Sequence, residues 1–343
     1  MSESKVNIAL VGVANHGETI LKAITSNSRF VLKSCYDVNR SASEFVAKRY
    51  GCQGASSFEE ILNDSNIDAV ALVTPNFVHS SQAVQALAAG KHVFVEKPLA
   101  TNVREGREIV EAAKAHRKVL QVGHNTRMRR VFREAKKLLE GGVVGDVINV
   151  YANMSFDFGL TKSVPEWKKD RDKCMLLPMT QLGIHFVDTL QFLIGQITEV
   201  TCFERSAIMS DKGGKAVTDT VAANIAFDNG VIGSIQSSYV TCDVYSIVIY
   251  GTKSNLTCYS DSIKMWRSSE FDRNVKSVSA AESVDGESYL YEMNEFAECI
   301  TSNRSPEVNG EVGLANVAVV EAMARSSERK QAVSISEILR STL

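Results

Sequence analysis

Between Val6 and Gly123, short runs of β-branched and other apolar residues alternate with longer stretches of helical spacing. The runs Val6–Val11, Phe30–Tyr36, Ala69–Val73, His92–Val95 and Val119–Gly123 read as strands. The segments Glu18–Thr25, Ser41–Tyr50, Val78–Ala89 and Val103–His116 read as the helices between them. Such alternation predicts βαβ units and an α/β domain built on a doubly wound parallel sheet, because parallel strands need a helical crossover and are buried on both faces. Past Gly123 the period changes. A charged helix at Arg129–Glu140 is expected to stop at Gly141-Gly142, where the chain can turn. The segments Gly145–Phe156, Glu199–Ile208, Thr218–Phe227, Gly230–Val240, Tyr245–Tyr250 and Asn255–Tyr259 then alternate apolar and polar, as half-buried antiparallel strands do, and Asp228-Asn229-Gly230 marks a tight turn.

The apolar stretch Pro178–Leu193 predicts a helix covered on most sides, expected between the two domains. Leu290–Thr301 and Leu314–Arg325 predict closing helices, and the polar stretch Ser268–Ser288 predicts a flexible loop. The division expected is residues 1–124 as a dinucleotide-binding domain and 125–343 as a C-terminal α+β domain with a large, mostly antiparallel sheet. Its last segments are left free to pack back on the first.

Composition narrows the function classes. A chain of 343 residues, 44% hydrophobic and 23% charged, is long enough for two cores and needs no covalent staples. A net charge of -2 gives no footprint for nucleic acid. The seven cysteines (35, 52, 174, 202, 242, 258 and 299) show no metal-ligand spacing, so no metal is expected and they read as reduced thiols of a cytoplasmic protein. The N-terminus has no secretory pattern, and the longest apolar stretch carries Gln181, His185 and Asp188, which suits a buried helix better than a membrane span.

The first motif is Gly12-Val13-Ala14-Asn15-His16-Gly17, which follows the first strand and opens a helix. Gly12 permits a tight turn, the small Ala14 lets the backbone approach a pyrophosphate, and the helix N-terminus offers amide donors to phosphate. Asp37 ends the second strand, where a carboxylate accepts from the ribose hydroxyls of NAD and repels a 2′-phosphate; Arg40, three residues on, softens that repulsion, so NADP stands as the second choice. Two more motifs stand at strand C-termini, the ligand-binding edge of an open α/β sheet: Thr74-Pro75-Asn76 with His79, and Glu96-Lys97-Pro98.

Together with Val122-Gly123-His124-Asn125-Thr126-Arg127 and Gly183-Ile184-His185-Phe186-Val187-Asp188, these motifs resemble the glucose-fructose oxidoreductase / inositol dehydrogenase (Gfo/Idh/MocA) family over nearly the whole chain. The resemblance implies a Rossmann domain followed by an α/β domain, and hydride transfer between nicotinamide and a sugar, polyol or sugar-nucleotide carbon. Thr74, Pro75, Asn76, His79, Glu96, Lys97 and Asn125 would then join the Gly12–Gly17 loop, Asp37 and Arg40 on the cofactor side. His185 suits the base that removes the hydroxyl proton, and Lys97 the cation that steadies the oxygen.

Many relatives carry an acid four positions before the histidine; here it is Gln181, which can hydrogen-bond a hydroxyl but cannot relay a proton. Spacing puts 181, 185 and 188 on one helix face, with Asp188 read chiefly as a structural anchor and otherwise as the group orienting His185. Arg127 reads either as a contact to substrate or cofactor phosphate or as an interdomain salt bridge. Trp167 and Tyr239 read as pocket-lining or core. The alternatives carried are an NAD-binding regulatory or scaffold protein, and a hydrolase or epimerase working on retained NAD. A homodimer or homotetramer is expected from the broad second sheet.

Overall fold

The computed structural model describes residues 5–267, 276–279 and 286–341. The chain divides into two compact units, Met1–Asn125 with Val284–Leu314, and Thr126–Ser283 with Ala315–Leu343.

In the first unit six parallel strands, β1 (Val6–Val11), β2 (Phe30–Tyr36), β3 (Gln53–Gly54), β4 (Ala69–Leu72), β5 (His92–Glu96) and β6 (Leu120–Gly123), lie in the order β3-β2-β1-β4-β5-β6. The order reverses between β1 and β4, which opens a crevice at their C-terminal ends. Both strands are almost wholly buried, as their unbroken apolar runs require. Helices α1 (His16–Thr25), α2 (Arg40–Tyr50), α3 (Phe58–Asn63), α4 (His79–Ala88) and α5 (Val103–His116) make the crossovers. Asn102 caps α5 by accepting the Glu105 amide at 3.0 Å.

All nine elements expected between Val6 and Gly123 match within two residues at each end. β3 and α3 were not foreseen, because strands of two residues and helices of six carry too little periodicity to be read. A helix from the far end of the chain, α10 (Glu287–Ser302), packs on α1. Its Phe296 ring lies 6.4 Å from Phe30 and 6.0 Å from Phe94. Of the polar stretch 268–288, residues 276–279 form a strand and Glu287 opens α10; residues 268–275 and 280–285 lie outside the described residues.

The second unit holds nine described strands: β7 (Val147–Ser155), β8 (Ile197–Arg205), β9 (Thr220–Phe227), β10 (Ile232–Ser238), β11 (Val244–Gly251), β12 (Ser254–Cys258), β13 (Ser262–Arg267), β14 (Lys276–Ser279) and β15 (Val333–Ser334). Their order is β14-β13-β12-β11-β7-β10-β9-β8-β15, antiparallel except for β10 beside β7. Along β7, Val150, Ala152 and Met154 are buried, while Tyr151 and Asn153 between them are not. The inner face is covered by α6 (Arg130–Glu140) and α9 (Ile184–Leu193), where Phe186 meets Phe132 at 6.0 Å and Tyr245 at 4.9 Å, both edge to face. The outer face carries exposed Phe203 and Ile232. Two one-turn helices, α7 (Phe158–Thr161) and α8 (Glu166–Lys169), follow β7; α11 (Gly310–Arg329) and α12 (Ile335–Arg340) end the chain. The segment expected as one helix from Pro178 begins as a π-helical turn, Met179–Gly183, and becomes α-helical only at Ile184.

Among the described residues all cysteines are free, no group of His, Cys, Asp and Glu is placed to hold a metal, and no helix is long and apolar enough to cross a membrane.

Candidate active site

In the first unit, the expected cofactor residues gather where the strands end. Gly12 donates its amide to Tyr36 at 2.8 Å and turns at φ +85°; a Cβ there would stand 2.4 Å from the Val73 carbonyl oxygen. On Gly17 a Cβ would stand 2.2 Å from the carbonyl oxygen of Gly12. Both positions therefore demand glycine, and the loop lies flat between β1 and the opening of α1. Asp37 pins this loop: one carboxylate oxygen accepts the Val13 amide at 2.9 Å and the other the Asn39 amide at 2.8 Å. Each oxygen has a further acceptor site, which is what two ribose hydroxyls need. A cradle that side chains would fill, a helix N-terminus and a carboxylate at the next strand end fit a dinucleotide. Arg40 stands at the start of α2, exposed and paired with Glu44 at 2.8 Å.

Glu96 ends β5 almost fully buried. Burial opposes its charge, but His16, with Nε2 3.1 Å from Glu96 Oε1, and Lys97 outweigh that cost and hold the carboxyl below its usual range. The other Glu96 oxygen accepts the Lys97 amide at 3.1 Å, and the His16 ring meets Tyr289 edge-on at 5.5 Å. Glu96 thus ties the glycine loop to the half-buried Lys97. Asn76 is buried in the short turn after β4, and Asn125 donates to Ser288 Oγ at 3.2 Å. Thr74 spends its hydroxyl on Gln82 at 2.6 Å.

His79 is a correction. It was expected to contact the cofactor, yet only 1% of it is exposed, and its nitrogens lie 2.8 Å from the carbonyl oxygens of Pro98 and Thr74. It joins the segment after β4 to the segment after β5 from behind. Burial pushes its ring towards the neutral form, while the two carbonyls favour the protonated one.

In the second unit, His185 and Gln181 are half-buried on one side of the π-to-α segment. His185 Nδ1 lies 3.1 Å from Thr126 Oγ1, and Gln181 Nε2 lies 3.5 Å from Cys174 Sγ. Asp188 follows three residues after His185 in the same helix. It is fully buried, held by Arg127 Nε at 2.7 Å, by Arg127 Nη2, and by Asn316 Nδ2 at 2.7 Å. Arg127, read as a ligand contact or an interdomain bridge, is therefore corrected to an internal anchor of this unit. Asp188 thus fits the structural-anchor reading, and the side chain beside His185 Nδ1 is that of Thr126, which the sequence reading passed over. The signal was faint: one hydroxyl inside a motif noted for its neighbours.

Of the two readings of Tyr239, pocket-lining or core, its surroundings fit the core. It is 4% exposed, lies edge-on to Phe158 at 5.7 Å, and burial pushes its phenol up. Trp167 lines a cavity of about 840 Å³ together with Lys168 and Cys174.

Comparison with known proteins follows the same division. Residues 6–124 match a family model described as the NAD-binding Rossmann fold of an oxidoreductase family, and residues 136–335 match the C-terminal α/β domain of that family. The chain is 25% identical over 343 residues to myo-inositol 2-dehydrogenase of Thermotoga maritima, covering 97% of this chain and 100% of that protein. It is 28% identical over 334 residues to scyllo-inositol 2-dehydrogenase (NAD(+)) of Bacillus subtilis, covering 91% and 93%. A solved levoglucosan dehydrogenase, in complex with NADH and levoglucosan, shares the fold at a TM-score of 0.89 with 22% identity, over 97% of this chain and 100% of that one. The chain belongs to the Gfo/Idh/MocA family and is an NAD(P)-dependent oxidoreductase.

Proposed function

We propose that this protein oxidises a secondary alcohol of a sugar, polyol or sugar nucleotide, or reduces the matching ketone, with Lys97 and His185 acting on the reacting oxygen. NAD, held by the Gly12–Gly17 loop and Asp37, supplies the hydride acceptor when bound; NADP is the alternative, supported by Arg40. Thr126 carries the reading. If Nδ1–H of His185 donates to Thr126 Oγ1, Nε2 is the basic nitrogen and takes the hydroxyl proton. The Lys97 ammonium holds the same oxygen while charge develops on it. In the reverse direction His185 returns the proton. Gln181 orients a neighbouring hydroxyl and moves no proton.

The inositol dehydrogenase names of two relatives support a polyhydroxylated substrate. A cytoplasmic enzyme that pairs through the outer face of the second sheet, near Phe203 and Ile232, completes the proposal.

The test is steady-state kinetics on a panel of hexoses, inositols and sugar nucleotides. Lys97→Ala should lower kcat by about a hundredfold to ten-thousandfold and leave NAD affinity within about twofold; unchanged turnover overturns the mechanism. Substrate change with no accumulation of reduced nicotinamide would instead identify a reaction on retained NAD.

A further inference from the structure

The cavity beside Trp167 is lined by cations and carboxylates in equal number, and one of the cations stands apart. Among its lining cations, Lys169 pairs with Glu166 at 2.9 Å, Lys173 with Asp170 at 2.8 Å, and Arg171 with Glu204 at 2.8 Å and Glu328 at 2.9 Å, while Lys212 and Lys215 are exposed to solvent. Lys168 is different. It is half-buried, its ammonium stands 5.4 Å from the centroid of the Trp167 ring, and among the described residues that ammonium makes no hydrogen bond or ion pair.

Burial pushes its pKa down, opposed by Cys174, so the fold bears a desolvation cost with no carboxylate on the ammonium to offset it. Such a cost persists by selection when a ligand supplies the missing anion. The neighbours agree. Cys174 lines the same cavity and is contacted by Gln181 Nε2, so the segment leading to His185 presents an amide rather than a carboxylate. Position 181 therefore offers a donor and no repulsion to a negative group.

We propose that Lys168 selects a substrate bearing an anionic group, a carboxylate or a phosphate ester, seated over Trp167 with its charge on the lysine. This rests on the oxidoreductase reading and narrows its substrate class to acidic sugars or polyols.

Calorimetric titration of the NAD-loaded protein with D-glucose, D-glucuronate and D-glucose 6-phosphate tests it. Wild type should bind at least one acidic probe about tenfold or more tightly than glucose. Lys168→Met should abolish that preference and leave glucose affinity unchanged, whereas Lys168→Arg should keep it. Which acid binds separates carboxylate from phosphate. Equal affinity for neutral and acidic probes, no binding of either acid, or a preference that survives Lys168→Met overturns the proposal. The oxidoreductase reading fails separately, through an unaffected Lys97→Ala variant.

Discussion

At the strand ends of the first unit, the groups that shape the site are mostly main-chain ones: the Gly12 amide on Tyr36, the Val13 amide on Asp37, the Lys97 amide on Glu96, and the carbonyls of Thr74 and Pro98 against His79. In the second unit they are side chains: Thr126 against His185, Gln181 against Cys174, and Arg127 with Asn316 on Asp188. A site built from backbone tolerates few residue types at each position, because a Cβ or a changed φ moves every donor at once. A site built from side chains keeps its frame while its specificity changes residue by residue. The first therefore suits a cofactor shared by many enzymes, and the second a substrate that differs between them.

That contrast can be broken at graded points. The largest effect is expected from Asp188→Ala, which leaves the Arg127 guanidinium buried without its carboxylate and should lower unfolding free energy by about 3–5 kcal/mol. Denaturant titration measures it, and a loss below about 1 kcal/mol would show that the side-chain frame does not depend on this pair.

Next, Gly12→Ala forces a Cβ against the Val73 carbonyl at a positive φ. The strain of about 1–3 kcal/mol should appear as a tenfold to hundredfold loss of NAD affinity in fluorescence titration. An unaffected affinity would refute the backbone account.

Acid should act on the first unit. Burial, aided by Lys118, lowers the His92 pKa to about 4 from its ordinary 6.5, and its Nδ1 accepts the Val119 amide at 3.0 Å. The unfolded chain takes up this proton near 6.5 but the folded ring only near 4. The stability it contributes is thus full above 6.5 and lost as pH falls towards 4, by about 1–2 kcal/mol after allowance for solvent screening. Melting temperature against pH should fall less steeply across that window in His92→Gln; equal slopes would assign the acid sensitivity elsewhere.

The smallest effect belongs to Arg40→Ala. Its exposed pair with Glu44 is worth within about 0.5 kcal/mol, so stability and NAD affinity should barely move. A clear rise in NAD affinity would show that the arginine interferes with this site.

The same contrast explains what could be read from the chain. Gly12, Gly17, Asp37 and Glu96-Lys97-Pro98 were visible because backbone geometry restricts residue type at fixed distances from strand ends. Both sheets were visible because their burial patterns differ in period. What escaped depended on long-range pairing. Arg127 and Asp188 are 61 positions apart, so nothing local marked them as partners. His79 looked like a site residue because it lies in a site motif, although both its nitrogens face the protein. Thr126 lay inside a quoted motif, but nothing local tied its hydroxyl to a histidine 59 positions away. β13, β14 and β15 were missed: β14 and β15 are very short, β14 lies inside the stretch read as a loop, and β13 directly precedes that stretch.

The π-helical turn at Met179–Gly183 has a consequence for how this protein can change. A π turn holds one residue more than an α turn. Removing a single residue there would let the α-helix of His185 continue upstream and swing Gln181 by about 100° around its axis, while the residues after Gly183 keep their register. An insertion or deletion of one codon, rather than a series of substitutions, is thus the shortest genetic step to a different side chain in the place that Gln181 holds beside Cys174.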